Sequence, residues 1–373
     1  MKYKICKKTI MDTSDPDITF DNQWISNHYY KAFQKVNSYP LNLNNIEKKN
    51  ELDKQIKRIK EEGIWNKYDC LIWISWWVDS TYVAYMAKKV WLKPLAFHLD
   101  NWWNSDLATK NIENILNKLW IDLYTEVLDW EEFKDLQLSF LKASVPDLEI
   151  PTDHAIVSWM YKVAKKHNIK NIIIWRNYAT ESIWVAKWSD GHWDWWYIKW
   201  IQKRFGSKKL DTYPHMSLFK NLYYQFFQLW IKTFNLLDFI EYDKEKTLSL
   251  LEKELWYKKY NLKHWESIYT EFVQNLVLPE KFWYDKRKMH FSSLICSWQM
   301  TRQEALELIK KPLFISKQQR EELKSYVADK LWIELSYLDD LLKKENKHYI
   351  DYPWNKKTII YKLMLKIYNL LSK

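Results

Sequence analysis

The sequence predicts an α/β fold, a parallel sheet with helices on both faces, followed by a helical C-terminal region. Two observations predict it. Between Tyr68 and about Arg204, short apolar runs alternate with amphipathic helical stretches, the pattern of βαβ units. From about Phe205 onward the chain is mostly helical in period, aromatic-rich and basic. Hydrophobic residues at 47% and charged residues at 28% suit a globular chain, and no apolar run reaches the ~18 residues of a membrane span.

Residues 1–50 read as a polar, Asn-rich leader containing Asp12, Asp15, Asp17 and Asp21, with little helical period. Residues 51–64 read as an exposed helix closing at Gly63. CLIWIS (70–75) is a strand, STYVAYMAKKV (80–90) a helix and PLAFHLD (94–100) a strand. DLATKNIENILNKL (106–119) is a helix, DLYTEVLD (122–129) a strand, DHAIVSWMYKVAKKH (153–167) a helix and NIIIW (171–175) a strand. The expected division is a leader over 1–50, a nucleotide-binding α/β domain over 51–205 and a helical region over 206–373. Ligands of such sheets bind beyond the carboxyl ends of the strands.

The basic start, MKYKICKKTIMD, lacks the apolar core and small-residue cleavage site of a signal peptide, and Cys6, Cys70 and Cys296 are too few for a disulfide framework. Both point to the cytoplasm. The net charge of +11 favours anionic partners, among them nucleotides, nucleotide-sugars and nucleic acid.

Glycine is the anomaly: the chain has 3 Gly and 25 Trp. A chain of this length ordinarily carries roughly 26 glycines, at about 7% of residues. Glycine and tryptophan together restore that figure. Trp73, Trp76 and Trp77 lie between an apolar strand and a helix, where a turn wants glycine. Trp91, Trp120, Trp256 and Trp332 each follow a helix-like run, where a C-terminal glycine usually sits, and Trp175 ends the run NIIIW. Most of these tryptophans therefore stand where glycine is expected, and a UGA codon reassigned to glycine is the simplest cause. The alternative is a protein rich in Trp for stacking on sugars, which leaves the missing glycines unexplained.

The strongest chemical motif is Ser75-Trp76-Trp77-Val78-Asp79-Ser80, directly after a strand and opening a helix. Read with glycine at the two Trp positions it becomes S-G-G-V-D-S. The backbone N–H groups of such a turn and the helix N-terminus cradle an anion, and glycine permits the close approach. Ser75 and Ser80 offer hydroxyl donors, and Asp79 orients the loop or meets a metal; the plainer alternative is an ordinary turn capped by Ser75 or Asp79. Strand ends supply His98, Asp100 and Asn101, and then Arg176, Asn177, Thr180 and Glu181. Thr152, Asp153 and His154 open a helix, where capping and function compete. Asp285, Lys286, Arg287, Lys288 and His290 form a mostly basic cluster, for which a solvated helix face is the rival account.

The 75–80 loop resembles the pyrophosphate-binding loop of the PP-loop ATP pyrophosphatase superfamily. Residues 68–104 together with IPTDHAI (150–156), IIWRNYATES (173–182), YIKWIQKRFG (197–206) and FWYDKRKMHFSSLICSWQMTRQEA (282–305) resemble the N-acetyl sugar amidotransferases of lipopolysaccharide and nonulosonic-acid biosynthesis. The likeness covers roughly residues 1–310, its motifs specific in combination rather than singly, and residues 311–373 read as a helical extension. It implies an adenine nucleotide alpha hydrolase-like (HUP) fold and ATP with Mg²⁺ as cofactors. It implies nucleotide contacts at Ser75, Trp76, Trp77, Val78, Asp79, Ser80, His98, Arg176 and Asn177, with Asp79 on the metal. Asp79, Asp100, Asp153 and Glu181 take catalytic roles, and Asn101, His154, Lys286, Arg287 and His290 the sugar substrate.

The implied reaction converts the acetamido group of a nucleotide-linked sugar into an acetamidino group through an adenylated intermediate. No glutaminase signature appears, so ammonia is expected from separate glutaminase/cyclase-like subunits. The family's N-terminal cysteine pairs are degenerate here. Cys6 stands alone, Thr9 takes the partner's place and the second pair gives way around Asn27, His28 and Tyr29, which is not the four-ligand set of structural zinc. Two rivals remain: a tRNA-thiolating enzyme of the same superfamily, which needs catalytic cysteines at the site, and an inactive carbohydrate-binding protein.

Overall fold

The computed structural model describes residues 3–75, 77–217, 219–220, 231–258, 267–355, 358–359, 361–363 and 366, without the side chains of Asp106, Leu107 and Ala179. Trp76, one of the loop positions singled out above, lies outside the described residues.

Five strands form one sheet: β1 (Cys70–Trp73), β2 (Pro94–Asp100), β3 (Asp122–Val127), β4 (Asn171–Ile174) and β5 (Lys232–Asn235). Their order is β3-β2-β1-β4-β5 and every pairing is parallel, with Leu71 opposite Leu95 on one side and Ile172 on the other. Successive side chains of a strand face opposite sides, and the cores follow that alternation. Leu71, Leu95, Phe97 and Ile172 enter one core, while Cys70, Ile72, Ala96 and Ile173 enter another.

Helices α2 (Asn45–Glu62), α3 (Val78–Lys89) and α4 (Asp106–Leu119) cover the second face through Ile56, Val83 and Ile112. Helices α5 (Trp130–Ala143), α6 (Ile150–Lys166) and α8 (Trp195–Phe205) cover the first. The predicted α/β architecture is the observed one. Downstream, α9 (Lys244–Leu255), a helical stretch over 268–282, α10 (Lys286–Cys296), α11 (Arg302–Ile309), α12 (Lys317–Leu331) and α13 (Leu335–Lys343) follow. Val327, Leu331 and Leu338 of this region join the same core as Leu71 and Phe97.

Several elements depart from the sequence reading. The leader holds a helix, α1 (Asn27–Val36), capped by the Ser26 side chain on the Tyr29 N–H. Its apolar positions Tyr29, Ala32, Phe33 and Val36 do have helical spacing, hidden among polar neighbours. The strand read over 122–129 ends at Val127, because Asp129 accepts the Glu132 N–H at 2.9 Å and starts α5. The fifth strand, KTFN, lies within the part read as helical.

Candidate active site

The strand order reverses between β1 and β4, so the crevice beyond their carboxyl ends is the topological switch point. Two of the sequence candidates meet there. The 75–80 segment leaves β1 and enters α3; residues 175–177 leave β4 and enter a single turn, α7 (Tyr178–Glu181).

The loop after β1 is laced by its own serines. The Ser75 N–H donates to Ser80 Oγ at 3.1 Å, the Ser80 hydroxyl shares its one proton between the Ser75 and Trp77 carbonyls, each at 3.0 Å, and the two hydroxyls lie 2.9 Å apart. Both side chains are buried. Their hydroxyls thus shape the turn, where the sequence reading had them as donors to a ligand. Trp77, neither Ser75 nor Asp79, occupies the N-cap of α3, without a side-chain cap bond, and Val78 opens the helix.

Asp79 is buried in the first turn of α3, and its carboxylate accepts the Tyr242 hydroxyl from the chain beyond β5. Burial, then the charge of Asp79, raises the Glu181 carboxyl to about 7, while Arg176 and Lys35 oppose the rise. Asp238, just after β5, is also raised by burial, against the pull of Lys35 and Arg176, and its carboxylate accepts from Asn235 Nδ2. Burial and then the Arg176 charge lower the Lys35 ammonium. The crevice therefore gathers three carboxylates and two cations. Lys35, Asp238 and Tyr242 were missed in the sequence. Lys35 rides on the overlooked α1, and the other two follow the overlooked β5.

Asn177 caps α7, accepting the Thr180 N–H and hydroxyl at 2.8 and 3.1 Å. Its Nδ2 is buried with no partner among the described residues, an unmet donor of the kind a ligand satisfies. Arg176 is exposed at the mouth.

The other strand-end candidates hold the chain. His98 places Nδ1 3.2 Å from the Ile74 carbonyl and Nε2 3.1 Å from Asn104 Nδ2, and burial lowers its pKa. That ties the end of β2 to the residue before Ser75. Asp100 accepts the Trp102 N–H at 2.8 Å and Asn101 the Trp103 N–H at 3.2 Å, so both form the turn after β2.

Near the start of α6 lies a second acidic group. Burial pushes the Asp153 carboxyl well above the carboxylate range, with Asp147 and Glu149 adding to the rise and Lys286 opposing it. The Asp153 side chain itself is exposed to solvent at the end of that group. Glu149 accepts from Thr270 Oγ1 at 2.7 Å and Gln274 Nε2 at 3.1 Å, with Lys286 Nζ at 3.9 Å.

His154 is committed to structure. Its Nε2 accepts the Met216 N–H at 3.2 Å, so Nδ1 carries the proton donated to the His192 carbonyl at 2.7 Å. Burial drives its pKa down to about 4. Arg287 bonds to Asp285 and to the carbonyls of Ile309 and Lys311, joining α10 to the end of α11. His290 is half-buried beside Phe291. Of the tail's substrate candidates, Lys286 is placed against that second acidic group.

All three cysteines are buried; burial pushes the Cys296 thiol up to about 12 and the Cys70 thiol well up. In the leader, Cys6 Sγ accepts the Ser26 N–H at 3.3 Å, and His28 Nε2 lies 2.5 Å from Asp15.

Residues 266–368, a little over a quarter of the chain, match the family described as LPS biosynthesis protein WbpG-like, C-terminal domain. No curated protein matches the chain. Among solved structures, the NMN synthetase from Francisella tularensis is similar at 13% identity, over 82% of this chain and 98% of that one, with a TM-score of 0.34. The NH3-dependent NAD synthetase from Campylobacter jejuni subsp. jejuni NCTC 11168, in complex with the nitrate ion, is similar at 12% identity, over 74% of this chain and 100% of that one, again with a TM-score of 0.34. A TM-score of 0.34 is too low for either likeness to bear on the chemistry of this chain.

Proposed function

We propose that the chain is an ATP-dependent amidotransferase that converts the acetamido group of a nucleotide-linked sugar into an acetamidino group during lipopolysaccharide or related surface-polysaccharide synthesis. The observation that carries this is the meeting, at the switch point, of the 75–80 loop with the Arg176–Glu181 turn, which pairs carboxylates with cations beyond a strand–turn–helix anion cradle. The match of residues 266–368 supports the polysaccharide context.

In this reading the loop N–H groups and the α3 N-terminus receive the β- and γ-phosphates of ATP, and Arg176 and Lys35 offset their charge. Asp79 and Glu181 fit Mg²⁺, a hard cation that takes one or two carboxylates besides phosphate oxygens and neutralises charge on the leaving pyrophosphate. The acetamido oxygen attacks the α-phosphorus, its bond to the bridging oxygen breaks and pyrophosphate leaves. Ammonia then adds to the imidate carbon, the bond to the AMP oxygen breaks, and the amidine remains. The protein's contribution is positioning and charge stabilisation.

The same reading takes most tryptophans as glycine positions. Among the described residues, ten non-glycine residues have positive φ, and eight of them are tryptophan: 24, 91, 102, 120, 256, 283, 298 and 332. Bulky side chains avoid that region, whereas glycine enters it freely. All eight indoles are exposed. At the switch point itself the Trp73 and Trp175 rings lie 4.0 Å apart and occupy the end of the sheet where the nucleotide is to lie. Glycine at 73 and 175 opens that space.

A protein carrying Trp76→Gly and Trp77→Gly, given ATP, Mg²⁺, the sugar and ammonia, is expected to release AMP and pyrophosphate; ADP and orthophosphate would refute attack at the α-phosphorus. Intact mass of the native-host protein tests the glycine reading, and a mass equal to that of the written sequence sinks it. The thiolating alternative is disfavoured by the burial of all three cysteines.

A further inference from the structure

A cavity of about 530 Å³ opens beside the switch point, between α1, the start of α7 and residues 295–304. Its volume is in the range of nucleotide-sized ligands, about 300–1,000 Å³. Two connections bring it to the crevice. Tyr178 lines it and begins the turn that ends at Glu181, and the Tyr178 hydroxyl donates to the Ala32 carbonyl at 3.1 Å, fixing α1 against that turn. Gln299 also lines it; its Nε2 donates to the Tyr242 carbonyl at 2.6 Å, and the Tyr242 hydroxyl reaches Asp79.

Its wall combines cations with aromatic faces. Lys8 and Arg302 place two cations on the wall, the latter with Nε on the Cys6 and Thr9 carbonyls at 3.1 and 3.0 Å. Among the described lining residues Glu304 is the one carboxylate, held ionised in the capping box of α11 by Thr301, and two cations against it leave the wall cationic overall. Tyr29 and Phe33, stacked at 21° with centroids 6.4 Å apart, give an aromatic surface, and Phe33 is 53% exposed. Flat aromatic faces of this kind stack on bases. Trp298, one of the left-handed positions, is also on the wall; glycine there widens the opening.

We propose that this cavity binds the nucleoside-diphosphate part of the sugar substrate, with Lys8 and Arg302 on the diphosphate and Tyr29 and Phe33 against the base. The assignment rests on the amidotransferase reading and adds to it where the acceptor enters, directing the sugar toward Asp79 and Glu181.

The test is calorimetric titration of the 373-residue chain with glycine at 76, 77 and 298. UDP-, dTDP- and GDP-linked N-acetyl sugars are titrated in turn, and a non-hydrolysable ATP analogue separately. Lys8→Glu and Phe33→Ala alter exposed side chains, and circular dichroism checks that both variants fold. At least one sugar nucleotide is expected to bind, with Kd rising at least tenfold in Lys8→Glu and several-fold in Phe33→Ala, while Kd for the ATP analogue stays within twofold. Sugar-nucleotide binding unchanged in both variants overturns the pocket, as does failure of every sugar nucleotide to bind a chain that binds the ATP analogue. A chain that binds neither class overturns the amidotransferase reading together with the pocket.

Discussion

The hydroxyl of Tyr242 donates to the carboxylate of Asp79, joining the chain beyond the fifth strand to the loop after the first. The two residues are 163 positions apart, and both are buried. A hydrogen bond to a charged group contributes about 1.5–3 kcal/mol. In the glycine-bearing protein, Tyr242→Phe is expected to reduce turnover about tenfold. Asp79→Asn is expected to reduce it about a hundredfold and to change its Mg²⁺ dependence. Pyrophosphate release against Mg²⁺ concentration checks both, and an Asn variant with wild-type turnover would remove Asp79 from the chemistry.

Glu181 makes stability depend on pH. Its folded-state pKa of about 7 lies above the ordinary 4.5, so between those values the folded state holds the extra proton. Its contribution is favourable below pH 4.5 and is lost as pH rises through 7, by about 3 kcal/mol at most. Without nucleotide or Mg²⁺, Glu181→Gln should flatten the fall in stability between pH 5 and 8 in urea melts. An identical slope in the variant would show that Glu181 is not the titrating group.

His154 acts in the opposite direction. Its pKa is about 4 in the folded state and 6.5 otherwise, so the unfolded chain takes up the proton first as pH falls. Stability is full above 6.5 and is lost progressively toward 4. His154→Gln is expected to be less stable at pH 7, because the Met216 N–H and His192 carbonyl lose well-placed partners, yet flatter between pH 6.5 and 4. Melting temperature across that window checks it.

Adjacent tryptophans should respond oppositely to glycine. Trp102 has φ of 69°, whereas Trp103 is fully buried, donates its indole N–H to Gln137 at 2.9 Å and packs on Tyr269. Glycine at 120, 256, 283 or 332, where the indole sits on a left-handed helix terminus, is expected to stabilise by about 1 kcal/mol each. Trp103→Gly should cost about 3–5 kcal/mol. Chemical denaturation of these five single variants and of Trp102→Gly decides, and a net loss at the helix ends or at Trp102 would count against the glycine reading.

Ammonia supply is the last point. Free ammonium is expected to support turnover by the purified chain, with glutamine effective only after a glutaminase partner is added. AMP release with glutamine and the chain alone would contradict the separate-subunit arrangement.

What the sequence determined by itself was local. Alternating apolar runs specified four of the five parallel strands, because side-chain period and turn position are encoded within a few residues of each other. The scarcity of glycine marked Trp91, Trp120, Trp256 and Trp332, and each proved to have positive φ. The motif at 75–80 and the turn at 176–181 were also legible singly. Their meeting was decided by strand order, since β1 and β4 are neighbours in the sheet but about a hundred residues apart in sequence. Only the packing brought Lys35, Asp238 and Tyr242 to the same crevice, and only packing separated Trp103 from Trp102. Residue type sets what a side chain can do, but its burial and its partners come from distant segments. His154 shows the consequence: the family resemblance implied a ligand contact there, while two backbone groups from residues 192 and 216 had already taken both ring nitrogens.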